Sequence, residues 1–108
     1  MPRDPLTAMQ RGTLLGLLAR HVDAIDRVDL FGSRARGDHR PGSDVDLLIH
    51  GSMTADRLAM LAAEIDASDL SLDVDLHLAA HLEETRFAEL ARREARPLFS
   101  HEDLIATG

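Results

Sequence analysis

The sequence predicts an α/β (α+β) fold: a small mixed β-sheet backed by helices on one face. Three observations carry that expectation. Apolar and acidic residues alternate twice, over residues 44–49 and again over 72–78. Three other stretches repeat apolar residues at helical spacing. A Gly32-Ser33 pair turns the chain directly after a short apolar run.

Taken in order, Leu14, Leu15, Leu18, Val22 and Ile25 fall on one helical stripe, and Pro5 with Thr7 offers a helix entry. A helix is therefore expected over about residues 6–21. Residues 28–31 read as the first strand. After Gly32-Ser33, a short helix is expected to start over Ser33-Arg34-Ala35-Arg36 with its amides toward an anion, and Gly37 ends it. Asp38-His39-Arg40-Pro41-Gly42 is dense in turn formers and reads as a loop. In the second strand Val45, Leu47 and Ile49 alternate with Asp44, Asp46 and Leu48, so carboxylates and core side chains point opposite ways. Thr54 is expected to cap a helix to about residue 67, with Leu58, Leu61 and Ile65 on its buried stripe. A third strand then alternates Leu72, Val74, Leu76 and Leu78 with Asp73, Asp75 and His77. A last helix over about residues 82–95 carries Phe87, Leu90 and Ala91, and Arg96-Pro97 closes it before a tail with Leu98 and Phe99. This order leaves the acidic face of the sheet open.

Composition narrows the function classes. With 108 residues the chain is expected to form a single domain, residues 1–108, with a core but no second module. The formal charge of -7 opposes broad attraction to a polyanion, so direct nucleic-acid binding is not expected. All twelve basic residues are Arg, which excludes a Walker-type lysine and leaves phosphate contacts to Arg, hydroxyls and backbone amides. Without Trp or Tyr, stacking platforms for single-stranded nucleic acid are hard to build. The absence of Cys excludes disulfides and thiolate zinc sites. No run of roughly 18 apolar residues occurs and the first residues do not lead into a secretory pattern, so a cytoplasmic location without membrane contact is expected.

The chemistry lies in Gly32-Ser33 together with Asp44 and Asp46. Same-face positions on a strand lie roughly 6.6 Å apart, close enough for two carboxylates to converge on one cation and costly to leave unneutralised. Singly, each feature has a plainer explanation: Gly-Ser as an ordinary turn, Asp44 and Asp46 as the wetted face of an amphipathic strand. Their joint order and spacing, with a second acidic strand later, is far more specific. His77 and His81 sit four apart across a predicted strand end and lack the helical spacing of a zinc pair; His39 reads as a solvated loop residue. Arg92, Arg93 and Arg96 read as an exposed helix face or as part of a partner surface.

This pattern resembles the signature of the DNA polymerase β-like nucleotidyltransferase superfamily, and within it the minimal nucleotidyltransferases. That signature places Gly-Ser at the end of a first strand, Asp-x-Asp on the second, and a third carboxylate on a later strand; here it reads Gly32-Ser33, Asp44 and Asp46. The resemblance implies the polymerase β-like nucleotidyltransferase fold and a metal-dependent transfer from ATP using two Mg2+ ions. It also implies that Asp44, Asp46 and a later aspartate are catalytic metal ligands. Asp75 is favoured for the third position because Val74-Asp75-Leu76 matches the apolar-Asp-apolar strand, with Asp73 held in reserve. Gly32, Ser33, Arg36 and Ser43 are the expected nucleotide-binding residues, Arg36 being ranked ahead of Arg34 and Arg40. The expected partner is a HEPN-family toxin: relatives of this kind act as antitoxins by adding AMP to a tyrosine of a HEPN ribonuclease. A non-catalytic toxin-binding antitoxin, and a transferase acting on a small molecule or RNA, stand as alternatives.

Overall fold

The computed structural model describes residues 6–32, 45–70, 72–82, 89 and 93–107. Thr7 starts the first helix, α1 (Ala8–Ala19), through a reciprocal cap: its hydroxyl accepts from the Gln10 N–H, and the Gln10 side chain accepts from the Thr7 N–H. The expected stripe is buried at Leu14, Leu18 and Ile25, joined by Leu17, while Leu15 and Val22 pack against it half-buried. A single 3-10 turn, Val22–Ala24, leads into the first strand, β1 (Arg27–Phe31). The second strand, β2 (Val45–His50), runs antiparallel to β1.

Thr54 then caps α2 (Ala55–Asp66), as its sequence position predicts, by accepting from the Arg57 N–H. Leu61 and Ile65 are buried and Leu58 packs against them. This helix carries the chain over the sheet so that β3 (Val74–Leu78) can pair parallel to β2, a pairing that a tight turn cannot make. Helix α3 (Ala79–Leu82) follows at once. That short helix ends where the last helix is expected to begin; within the expected span Glu89, Arg93 and Glu94 are helical, and Phe87, Leu90 and Ala91 lie outside the described residues.

The expected C-terminal tail is instead a strand and a helix. Residues Arg96–Ser100 form β4, antiparallel to β1, giving the sheet order β3-β2-β1-β4. Pro97 is tolerated because β4 is an edge strand. The register shifts between Val28 and Asp29, which pair with Phe99 and Pro97, so Leu98 is skipped. That bulge lets two consecutive side chains, Leu98 and Phe99, both enter the core. Arg11 clasps it from α1, donating to the Leu98 carbonyl at 3.1 Å with its guanidinium 5.0 Å from the Phe99 ring centre. Helix α4 (His101–Thr107) is then capped reciprocally by Ser100 and Asp103, and its Leu104 is buried.

Helices α1, α2 and α4 share the main core with Val28, Leu30, Val45, Leu47 and Ile49. The opposite face of the sheet is less open than its acidic alternation implies. Phe31 and Leu48 are buried there in a small second cluster with Ala79 and Ala95. Asp29 is buried on the same face, accepting from His50 Nε2 at 2.9 Å, with Arg27 3.5 Å away.

A polar chain ties α2 to the turn after α1. Arg57 pairs bidentately with Asp23, and its Nε donates to Nδ1 of buried His21 at 3.0 Å. With Nδ1 accepting, Nε2 carries the proton and donates to Glu64 at 2.6 Å. The Arg57 bond holds the Asp23 carboxyl below its ordinary range, and the His21 bond, with Arg20 assisting, does the same for Glu64.

Candidate active site

The site begins where β1 stops. Gly32 follows Phe31 with a φ of 80°, a left-handed turn that favours glycine. Across the antiparallel pair Phe31 faces Asp46, and across the parallel pair Asp46 faces Asp75. Phe31, Asp46 and Asp75 therefore form one row across three strands, on the face away from the main core. Adjacent strands lie roughly 4.8 Å apart, so the two aspartates stand side by side on one face.

Gly32 presses on this row. A Cβ added to it would fall 2.6 Å from Asp46 Oδ2, so the space over the carboxylate exists only because residue 32 has no side chain. Asp46 is half-buried and Asp75 exposed. His77, two residues beyond Asp75 on the same face, brings its Nε2 to 3.8 Å from Asp46 Oδ1. Its ring meets Phe31 edge-on, with centroids 5.2 Å apart and planes at 64°.

The sequence-predicted residues divide accordingly. Gly32, Asp46 and Asp75 are brought together. Asp73 is exposed and precedes β3, where its carbonyl accepts from the Val45 N–H, one row short of Asp46. Asp44, Ser33, Arg36 and Ser43 lie outside the described residues, as do Arg34, His39 and Arg40. Among the described residues no group of three His, Asp or Glu side chains is placed to hold a metal ion. Asp46 and Asp75, in register on one face, supply oxygen donors of the kind a hard cation takes. Sequence reasoning weighed His77 only together with His81, as a zinc pair, and gave Phe31 no place at the site. The signal for His77 was its same-face spacing from Asp75.

The model of the nucleotidyltransferase domain family matches residues 13–98, a span that contains the turn and both carboxylate strands. The chain belongs to the nucleotidyltransferase domain family. Solved structures with the same fold include a toxin-antitoxin crystallised with AMP-PNP, at 24% identity and a TM-score of 0.63, covering 90% of this chain and 82% of that one. The toxin-antitoxin MntA-HepT matches at 20% identity and a TM-score of 0.59, covering 94% of this chain and 83% of that one. A mutant described as MntA-HpeT gives 23% and 0.61, with 90% and 82% covered. No curated protein matches the chain. In this nucleotidyltransferase, then, the matched span takes in the Gly32 turn and the row of Phe31, Asp46 and Asp75. No helix among the described residues is long and apolar enough to cross a membrane.

Proposed function

We propose that this nucleotidyltransferase moves AMP from ATP to a protein hydroxyl, a tyrosine of a cognate HEPN ribonuclease toxin, and so serves as the antitoxin of a cytoplasmic toxin-antitoxin pair, all within one domain. The observation that carries the chemistry is the alignment of Asp46 with Asp75 beside Gly32. The shared fold with MntA-HepT supports the partner class.

Gly32 lets the backbone approach the triphosphate, and Ser33 offers it an amide and a hydroxyl. Arg36 and Ser43 hold phosphate oxygens. Asp44 and Asp46 would hold two Mg2+ ions, with Asp75 as the third carboxylate on the acceptor side. When bound, these ions neutralise the charge that builds on the triphosphate and make the acceptor hydroxyl easier to deprotonate. Asp75 orients that hydroxyl in line with the α-phosphorus and accepts its proton. The tyrosine oxygen then forms a bond to that phosphorus as the bond to the β-phosphate oxygen breaks, and pyrophosphate leaves with the electron pair.

Labelled ATP, Mg2+ and the purified HEPN partner, incubated with this chain, test the reading. Label is expected on the partner with the wild type and on none with Asp44→Asn or Asp46→Asn; transfer surviving both changes refutes it. If neutralisation of the toxin persists when transfer is gone, the protein acts by covering its partner instead.

A further inference from the structure

We infer that the outer edge of β3 pairs with the same edge of a second copy of this chain, joining two sheets into one and setting His77 of each copy opposite Asp75 of the other. This surface does not depend on the transfer proposed above.

The two edges of the sheet differ. β3 and β4 are its outer strands. β4 is a poor template for another strand, because Pro97 lacks an N–H and the skip at Leu98 bends the ladder. β3 has neither a proline nor a register shift along its five residues. Its outward groups follow from the parallel pairing with β2. The Asp73 carbonyl accepts from the Val45 N–H at 2.8 Å, so Asp73, Asp75 and His77 direct their backbone groups to β2, and Val74 and Leu76 direct theirs away from it. Among the described residues no strand or loop pairs with that outward row.

The core is also unfinished on this side. On the other outer strand Leu98 and Phe99 are buried, whereas Val74 and Leu76 on β3, with Leu70 and Leu72 just before it, pack on the core yet stay half-buried. A second sheet placed edge to edge would carry the apolar face past these residues and take more of their surface out of water.

Register selects the occupant. Antiparallel pairing of Leu76 with Leu76 of the second copy uses the whole strand, because Val74 then meets Leu78. It sets Asp75 across from His77 at a non-hydrogen-bonded position, where Cα atoms lie about 4.5 Å apart and side chains meet. Moving the axis to Asp75 sets that carboxylate against itself, and moving it to Val74 sets Asp73 against Asp75; like charges directly opposite destabilise a pair. In its fullest overlap, then, β3 is complementary to itself.

Sedimentation velocity of the full chain tests the pairing, and a species of twice the chain mass is expected at micromolar protein. Val74→Pro removes one outward N–H at the first residue of β3, where proline is tolerated; it should weaken dimerisation about tenfold while the thermal melt stays cooperative. A second measurement reads the register without that variant. The chain has no cysteine, so Asp75→Cys mixed with His77→Cys should form a mixed disulfide under mild oxidation, in excess of either variant with itself. A monomer at about 100 μM overturns the inference, as does a dimer that folded Val74→Pro leaves unchanged. Asp75→Cys that cross-links to itself and not to His77→Cys overturns the register and with it the Asp75–His77 contact. Hydrogen-exchange protection of the Val74 and Leu76 amides that arises only when a different protein is added gives the edge to that protein and overturns the dimer.

Discussion

A methyl group on Gly32 would lie 2.6 Å from Oδ2 of Asp46. The turn that ends β1 and the carboxylate of β2 thus occupy one space, and neither can change without moving the other. Gly32→Ala adds a left-handed backbone penalty of about 1 kcal/mol and displaces the Asp46 carboxylate. Nucleotidyl transfer should fall about 100-fold, the scale set by misplacing a catalytic group by 1 Å, while the protein still melts cooperatively. An initial rate within a fewfold of wild type would contradict this.

The two later aspartates should behave differently. Asp75 stands in register with Asp46, whereas Asp73 lies before the ladder of β3. Asp75→Asn should reduce transfer by about 100-fold or more, and Asp73→Asn by only a few-fold. Measuring both variants under saturating ATP decides between them, and the reverse order would reassign the third carboxylate to Asp73.

Gly51 makes a separate prediction about stability. Its φ is 150°, and a Cβ there would sit 2.3 Å from the Ala24 carbonyl oxygen and 3.0 Å from the Ile25 Cα. Those contacts are to backbone and cannot swing aside. Gly51→Ala should cost about 2–3 kcal/mol and lower the melting temperature by about 10 °C or more, a change that a thermal melt by circular dichroism would register.

Acid should loosen the link between α2 and the turn after α1. Asp23 and Glu64 titrate below their ordinary range in the folded protein, held there by Arg57 and His21, and Asp103 does so through the Ser100 N–H. The unfolded chain binds protons first as pH falls, so the stabilisation is present above the usual carboxylate range and lost as pH drops through it. Melting temperature should decline from about pH 4.5 toward 3. In Arg57→Gln that decline should be shallower, and equal slopes in the two proteins would rule out the Arg57 contribution.

Where a segment's pattern matched one physical cause, the sequence was readable. Thr54 caps where its position predicts, and the alternation in β2 does send Val45, Leu47 and Ile49 to the core and Asp46 to the other face. β4 hid behind its own bulge. With Leu98 skipped in the ladder, neighbouring Leu98 and Phe99 are both buried, the alternation fails, and Arg96-Pro97 reads as a helix stop. Ser100 and Asp103, three apart, were an available signal for α4. The second apolar cluster was harder to foresee, because Leu48 looks like a break in an acidic face until Phe31, Ala79 and Ala95 are seen around it. For the site, spacing singled out Gly32 and Asp46, whereas Asp75 was preferred to Asp73 only through the family resemblance. The neighbours that shape it, Phe31 and His77, depend on a cross-strand register that no local pattern states.

Because β2 sends Asp46 to one face and Val45, Leu47 and Ile49 to the other, inserting or deleting one residue within the strand would exchange the two sets. Folding and chemistry would fail in the same step, with no half-damaged intermediate to select from. Recombination or loop grafting on this scaffold must therefore cut in the connections and carry residues 45–50 as an indivisible block.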